Sequence, residues 1–159
     1  MAVQAFVPED YVVGESPKLD IYRRVSQARE NAELEELGAE LADRYGELPP
    51  PAATLLDIQR LRVMCAARGV ETIGQEEQNI VLKGRETMKN LLENCPLRVT
   101  VLDTRTVAVS LKSGLRKGAR VISDDEVFHL AIAWMESGKF PLKQLRAYGR
   151  SSVAETSKS

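Results

Sequence analysis

The chain has 159 residues, of which 43% are hydrophobic, 28% are charged and only 5% are aromatic, with a formal net charge of −1. That length fits one domain able to bury roughly 70% of its unfolded surface, so a core needs neither metal nor disulfide. The near-neutral balance excludes the basic footprint of a general nucleic-acid binder, and no apolar run approaches the roughly 18 residues of a membrane span.

Charge is nonetheless uneven. Residues 1–57 hold 5 Lys/Arg against 12 Asp/Glu, a net of −7, and residues 112–159 hold 9 against 5, a net of +4. Such a split can orient a molecule at an interface. Cys65 and Cys95 stand far apart, without a C-x-x-C and in apolar helical context, which points to buried thiols in a reducing compartment. The start, MAVQAFVPEDY, lacks the basic and long apolar pattern of a signal peptide. The expected location is the cytoplasm.

Residues 1–15 read as an extended lead-in or linker. Ser16-Pro17 then has the form of an N-cap followed by proline at the first helical position, and Ile21, Tyr22, Val25 and Ala28 give that helix an apolar side. A second helix follows, with Asn31 expected as N-cap and Glu33 in the first turn. Leu34, Leu37, Gly38, Leu41, Ala42 and Tyr45 share one side at helical spacing. Gly38 and Ala42 are small residues on that side, suited to close approach of another helix. Gly46 is placed to end the helix. Pro49, Pro50 and Pro51 cannot continue it but can open the next. That third helix, from about Pro51 to Arg68, is apolar around most of its circumference, so it is expected to be surrounded and central.

The period then changes. Val70–Ile73 and Asn79–Lys83 read as short strands around a polar turn, and Arg85–Asn94 as a short helix ended by Cys95-Pro96. Arg98–Leu102 and Thr106–Leu111 form a β-branched hairpin pattern around Asp103-Thr104-Arg105. Ser113–Arg120 is a glycine-punctuated basic loop. Ser123-Asp124-Asp125-Glu126 is a capping box opening a helix to about Ser137, and Pro141–Arg146 has room for one more turn. The expected class is α+β: three N-terminal helices packed with a small, mostly antiparallel sheet of about four strands, plus two further helices. The expected organisation is a lead-in at 1–15, one regulatory domain at 16–149 and a flexible tail at 150–159.

The run AELADRYGELPPPAATLLDIQRLR, together with Val7-Pro8, Tyr11 and the helix carrying Tyr22-Arg23-Arg24, resembles the C-terminal (TRCF) domain of the bacterial transcription-repair coupling factors (Mfd). The resemblance is strong from about Val7 to Ile73, weaker but collinear to about Leu145, and lost in the tail. This chain departs from the family pattern at Tyr45, where phenylalanine is usual, at Lys18, where arginine is usual, and at Gly38 in a normally more polar helix. The resemblance implies a non-catalytic regulatory domain whose parent is an ATP-dependent DNA translocase. In that family the domain contacts the N-terminal UvrB-like module of the same protein, masks recruitment of UvrA, and restrains the motor until RNA polymerase stalled at DNA damage is engaged. It implies no cofactor and no membrane.

Chemistry-bearing patterns are sparse. The sequence holds no G-x-x-x-x-G-K-[ST], G-x-S-x-G or H-E-x-x-H. His129 with Asp125 four residues earlier could in principle form an acid–base pair, as in an unrecognised hydrolase, but an exposed histidine with an incidental neighbour is the plainer reading. Trp134 lies on the apolar stripe of its helix and reads as core. Arg62 projects from the apolar arc of the third helix and is expected to pair with an acidic residue of the first two helices. The outward charges of the second helix read by default as a solvated face. The sharper reading is a docking surface made of Glu40, Asp43, Arg44, Asp57 and Arg60. Lys112, Arg116, Lys117 and Arg120 could contact phosphate, which supports the alternative of a nucleic-acid-binding module in the basic C-terminal third. They lack interleaved aromatics for stacking.

Overall fold

The computed structural model describes residues 3–84 and 88–150, and these fall into two compact units, Val3–Met64 and one that opens at Cys65. The first contains three helices, α1 (Glu15–Gln27), α2 (Asn31–Tyr45) and α3 (Pro50–Ala67), with α3 running through the boundary into the second. The second contains the antiparallel strands β1 (Val70–Glu76), β2 (Asn79–Gly84), β3 (Val99–Val101) and β4 (Thr106–Ser110). Its helices are α4 (Lys89–Glu93), α5 (Asp124–Ser137) and α6 (Leu142–Tyr148). The α+β class is as expected, with α6 a third helix beyond the N-terminal three, where two were expected. Among the described residues no helix is long and apolar enough to cross a membrane.

The core of the first unit follows the spacing of α2. Leu34, Leu37 and Leu41 are all buried, alongside Ile21 and Val25 of α1; each such leucine contributes about 1.5–3 kcal/mol by leaving water. The lead-in joins this core, since Val7 and Val12 are buried in the same cluster. Its path is fixed by two tyrosines. The Val7 N–H donates to Tyr22 Oη at 2.8 Å. The Tyr11 hydroxyl reaches the Gly46 carbonyl at 2.8 Å and that of Leu41 at 3.1 Å, tying the lead-in to the C-terminal end of α2.

Several local expectations are corrected. The N-cap of α2 is Glu30, without a side-chain bond, and the exposed start is served by Glu33 instead, whose Oε2 accepts from Arg29 N–H at 2.9 Å. Asn31 is one residue inside the helix, so its side chain no longer reaches the cap position. Helix α1 begins at Glu15 behind Gly14, not at Ser16. Ala42 is exposed because the buried stripe is only as wide as the three leucines. Gly38 does mark close packing: a methyl group there would stand 3.3 Å from Leu56 Cδ1 of α3. Gly46 closes α2 at φ 93.

Helix α3 is not surrounded. Ala52, Gln59, Leu61, Met64 and Cys65 are buried, but Leu55, Leu56, Ile58 and Val63 are only half-buried and Ala66 and Ala67 are exposed. An apolar circumference permits burial on all sides; neighbours decide which sides are used. One of its buried residues is polar: Gln59 Nε2 donates to the Ala28 carbonyl at 3.1 Å, capping the end of α1.

In the second unit the strand order is β1-β2-β4-β3. The register places Ile80 and Leu82 of β2 on the same face as Val107 and Val109 of β4, and all four are buried. The β1–β2 turn is tighter than expected. Glu76 pairs with Asn79, leaving Glu77-Gln78 as the connection, with Glu77 at φ 54. Gln78 then acts as a surrogate strand residue: its Oε1 accepts from Ile122 N–H at 2.9 Å and its Nε2 donates to the Ile122 carbonyl at 3.2 Å. Helix α5 opens with the full capping box at Ser123 and Glu126. Trp134 is fully buried, edge-on to Phe140 with ring centroids 5.1 Å apart. Residues 85–87 of the expected fourth helix lie outside the described residues; the observed α4 starts at Lys89.

Candidate docking surface

The outward side of α2 carries most of the candidate interface. Asp43 and Arg44 are exposed, and so is Glu40. Glu40 is already engaged within the unit. Its Oε2 stands 2.6 Å from Arg24 Nη2 of α1, and that hydrogen bond, reinforced by the charges of Arg24 and Arg44, holds the Glu40 carboxyl below the ordinary carboxylate range. Both partners are well exposed, so water and salt screen the pair strongly. Beside it, Arg24, Gln27, Glu33 and Glu36 border a cleft of about 360 Å³ between α1 and α2, with Ala28 and Leu37 at its base.

Asp57 and Arg60 on α3 are half-buried. Both have interactions within the protein, which makes them structural contributors as well as candidates. Arg62 is exposed, and among the described residues it makes no ion pair with α1 or α2. The expected salt bridge is therefore absent there: the side chain leaves α3 on its solvent side.

The basic loop divides. A short 3₁₀ turn, Leu111–Gly114, opens it, with the Ser110 side chain accepting from Ser113 N–H. Lys112, Arg116 and Lys117 are exposed. Arg120 is clamped by Glu126 through two bonds of 3.0 and 2.8 Å, and this pairing holds the Glu126 carboxyl below its ordinary range despite some desolvation. The loop thus offers three cations to an anion where four were expected.

His129 is exposed, and its Nδ1–H donates to the Asp125 carbonyl at 2.8 Å, with the Asp125 carboxylate at 3.6 Å. This is a helix residue bonding one turn back. Among the described residues no three His, Cys, Asp or Glu side chains converge as a metal site. Burial pushes the Cys65 thiol up to about 12 and the Cys95 thiol up from its ordinary value, so neither is a ready nucleophile.

Sequence reasoning placed Tyr22 and Arg24 on the first helix but missed their contacts, the bond to Val7 and the pairing with Glu40. It missed Gln59 altogether, whose one readable trace is an uncharged polar residue within the third helix.

The model of the TRCF domain matches residues 1–95. The transcription-repair-coupling factor of Escherichia coli (strain K12) is 36% identical over 86 residues, which is 54% of this chain and 8% of that one. That of Mycobacterium bovis is 37% identical over 73 residues, 46% of this chain and 6% of the relative. That of Haemophilus influenzae is 41% identical over 64 residues, 40% and 6% respectively. The matched stretch thus spans a small fraction of the length of these curated relatives. A crystal structure of the C-terminal domain of transcription-repair coupling factor shares the fold, with a TM-score of 0.66 at 18% identity over 92% of this chain and 91% of the other.

Proposed function

Since the chain belongs to the TRCF domain family, we propose that it is a non-catalytic regulatory module, residues 16–149 with a lead-in at 1–15 and a tail at 150–159, which acts in transcription-coupled DNA repair. Its partner in this reading is the N-terminal UvrB-like module of the same parent protein, in the cytoplasm. Closure on that module masks recruitment of UvrA and restrains the DNA translocase until stalled RNA polymerase is engaged.

The observation that supports this reading is the outward side of α2, where Asp43 and Arg44 stand exposed on the helix whose Glu33 and Glu36 border a polar cleft. Such a surface suits a weak and reversible contact. A tethered partner at an effective concentration of about 1 mM stays roughly 99% engaged if the isolated pair has a Kd of about 10 μM. That is roughly 3 kcal/mol of closure, which a competing contact can overcome. Interfaces between domains of one chain are commonly of this polar, modest kind.

The test is capture of UvrA by the full-length parent, with and without residues 16–150. Deletion should increase capture several-fold. Unchanged capture would remove the masking role.

A further inference from the structure

Carboxylates are missing from two stretches of the second unit. Residues 106–123 hold four Lys/Arg and residues 138–150 hold four more, with no Asp or Glu in either. The acids of this region, Asp124, Asp125, Glu126 and Glu136, all lie on α5 between them. Solvated surfaces ordinarily intersperse the two signs, so this segregation needs an account.

The fold brings the two basic stretches together. Gly114, at the end of the 3₁₀ turn, lies so close to α6 that a methyl group there would stand 2.9 Å from Leu145 Cδ2 and 3.2 Å from Leu142 Cδ1. Gly149, just beyond α6, packs in the same way against Leu115 and Ile122 of the loop. Leu142 and Leu145 thus face the loop, while Lys143 and Arg146, each one position further on, are left to solvent. Arg98 joins from the sheet: its N–H donates to Ser113 Oγ at 2.9 Å and its carbonyl accepts from Ser110 N–H at 2.9 Å.

Arg98, Lys112, Arg116, Lys117, Lys143 and Arg146 are all exposed. Among the described residues none of the six is in an ion pair, in contrast to Arg105, held by Glu71, and Arg120, held by Glu126. The aromatic residues of the two stretches are turned to other use. Phe140 is buried, and Tyr148 is half-buried with its hydroxyl accepting from Gln144 Nε2 at 2.9 Å. Such a face suits phosphates and is unsuited to stacking unpaired bases.

We propose that this cationic face, formed by the loop after β4, by α6 and by Arg98, binds the phosphate backbone of duplex DNA. A duplex displays phosphates in rows and keeps its bases stacked inside, so it calls for cations without rings. Lys and Arg contacts to phosphate fix position without reading sequence. The choice of DNA among polyanions rests on the proposed place of the chain in DNA repair. The binding itself is tested without UvrA, so its failure and the failure of the masking role are separate results. The near-neutral charge of the whole chain keeps the contact weak, at a Kd of about 10⁻⁵ M in low salt.

The test is fluorescence anisotropy of a labelled, random-sequence duplex of about 20 base pairs with the full chain, between about 50 and 200 mM salt. Log Kd should rise with log salt at a slope of about 5, near 0.9 for each of the six cations. Arg116→Glu with Lys117→Glu, and separately Lys143→Glu with Arg146→Glu, should each weaken binding about tenfold or more and lower the slope by about 2. All four positions are exposed, and unchanged circular dichroism checks that the variants fold. Arg23→Glu with Arg62→Glu makes the same change in net charge on exposed residues of the three N-terminal helices, and should leave Kd within about threefold. The proposal is overturned if the duplex does not bind at the lower salt, or if the Arg23 and Arg62 pair weakens binding as much as the other two pairs do. It is equally overturned if single-stranded DNA, duplex RNA or polyglutamate displaces the labelled duplex more readily than unlabelled duplex DNA does.

Discussion

Arg24 of α1 and Glu40 of α2 meet at 2.6 Å, nitrogen to oxygen, across the seam between the two helices. The contact decides how the acidic side of α2 is read. A carboxylate held by its own domain is a poorer recognition element for a partner than Asp43 and Arg44 one turn further along. Glu40→Gln should therefore leave affinity for the UvrB-like module within about twofold, while Asp43→Arg and Arg44→Glu should weaken it more, by about tenfold or beyond, because an opposed charge at a contact repels. Titration calorimetry of the three variants checks the order.

The tyrosines that hold the lead-in make a second prediction. Tyr22→Phe deletes the acceptor of the Val7 N–H and should cost about 1 kcal/mol of stability. Because the loss is local, limited proteolysis should cut near Val7 sooner in the variant, while the helical circular dichroism of the remainder is unchanged.

Glu77 sits at φ 54 in a two-residue turn, a conformation that strains a residue with a β-carbon by about 1–2 kcal/mol. Glu77→Gly should raise stability by about 0.5–1 kcal/mol, the gain being reduced by the greater freedom glycine has when unfolded. Chemical denaturation with an unchanged slope is the measurement. At Gly138 the reverse holds. Its φ is +76, and a methyl group there would lie 2.7 Å from Arg68 Nη1, whose Nε donates to the Met135 carbonyl at 2.8 Å. Gly138→Ala should lower stability by about 1–2 kcal/mol.

The Glu126–Arg120 pair gives a pH dependence with a definite sign. The hydrogen bond from Arg120 lowers the folded-state value of Glu126 below its ordinary 4.5. A depressed carboxylate contributes stability that is fully present above the unfolded value and is lost as pH falls through the folded one. The drop should begin near pH 4.5 and continue below it. Glu126→Gln should flatten that part of the profile, measured as melting temperature against pH.

Much of the fold was legible because it rests on local rules. The leucine spacing of α2, the prolines that open α3, the alternation in β2 and β4, and the box at Ser123 each depend on a few neighbouring residues. The failures came where distant groups decide. Which side of α3 is covered depends on what packs against it, so an evenly apolar helix cannot announce its buried face. Gln59 and Gln78 act by reaching the Ala28 and Ile122 backbones, contacts no spacing reveals. The docking residues were chosen by exposure and charge, and that criterion is blind to Arg24 claiming Glu40 and to Glu126 claiming Arg120.

The most direct measurement is calorimetric titration of the isolated chain with the separate N-terminal UvrB-like module at two salt concentrations. The latch account predicts a Kd of about 10 μM that weakens as salt rises, through screening of an exposed polar contact. Nanomolar binding indifferent to salt, or no binding at all, would contradict it.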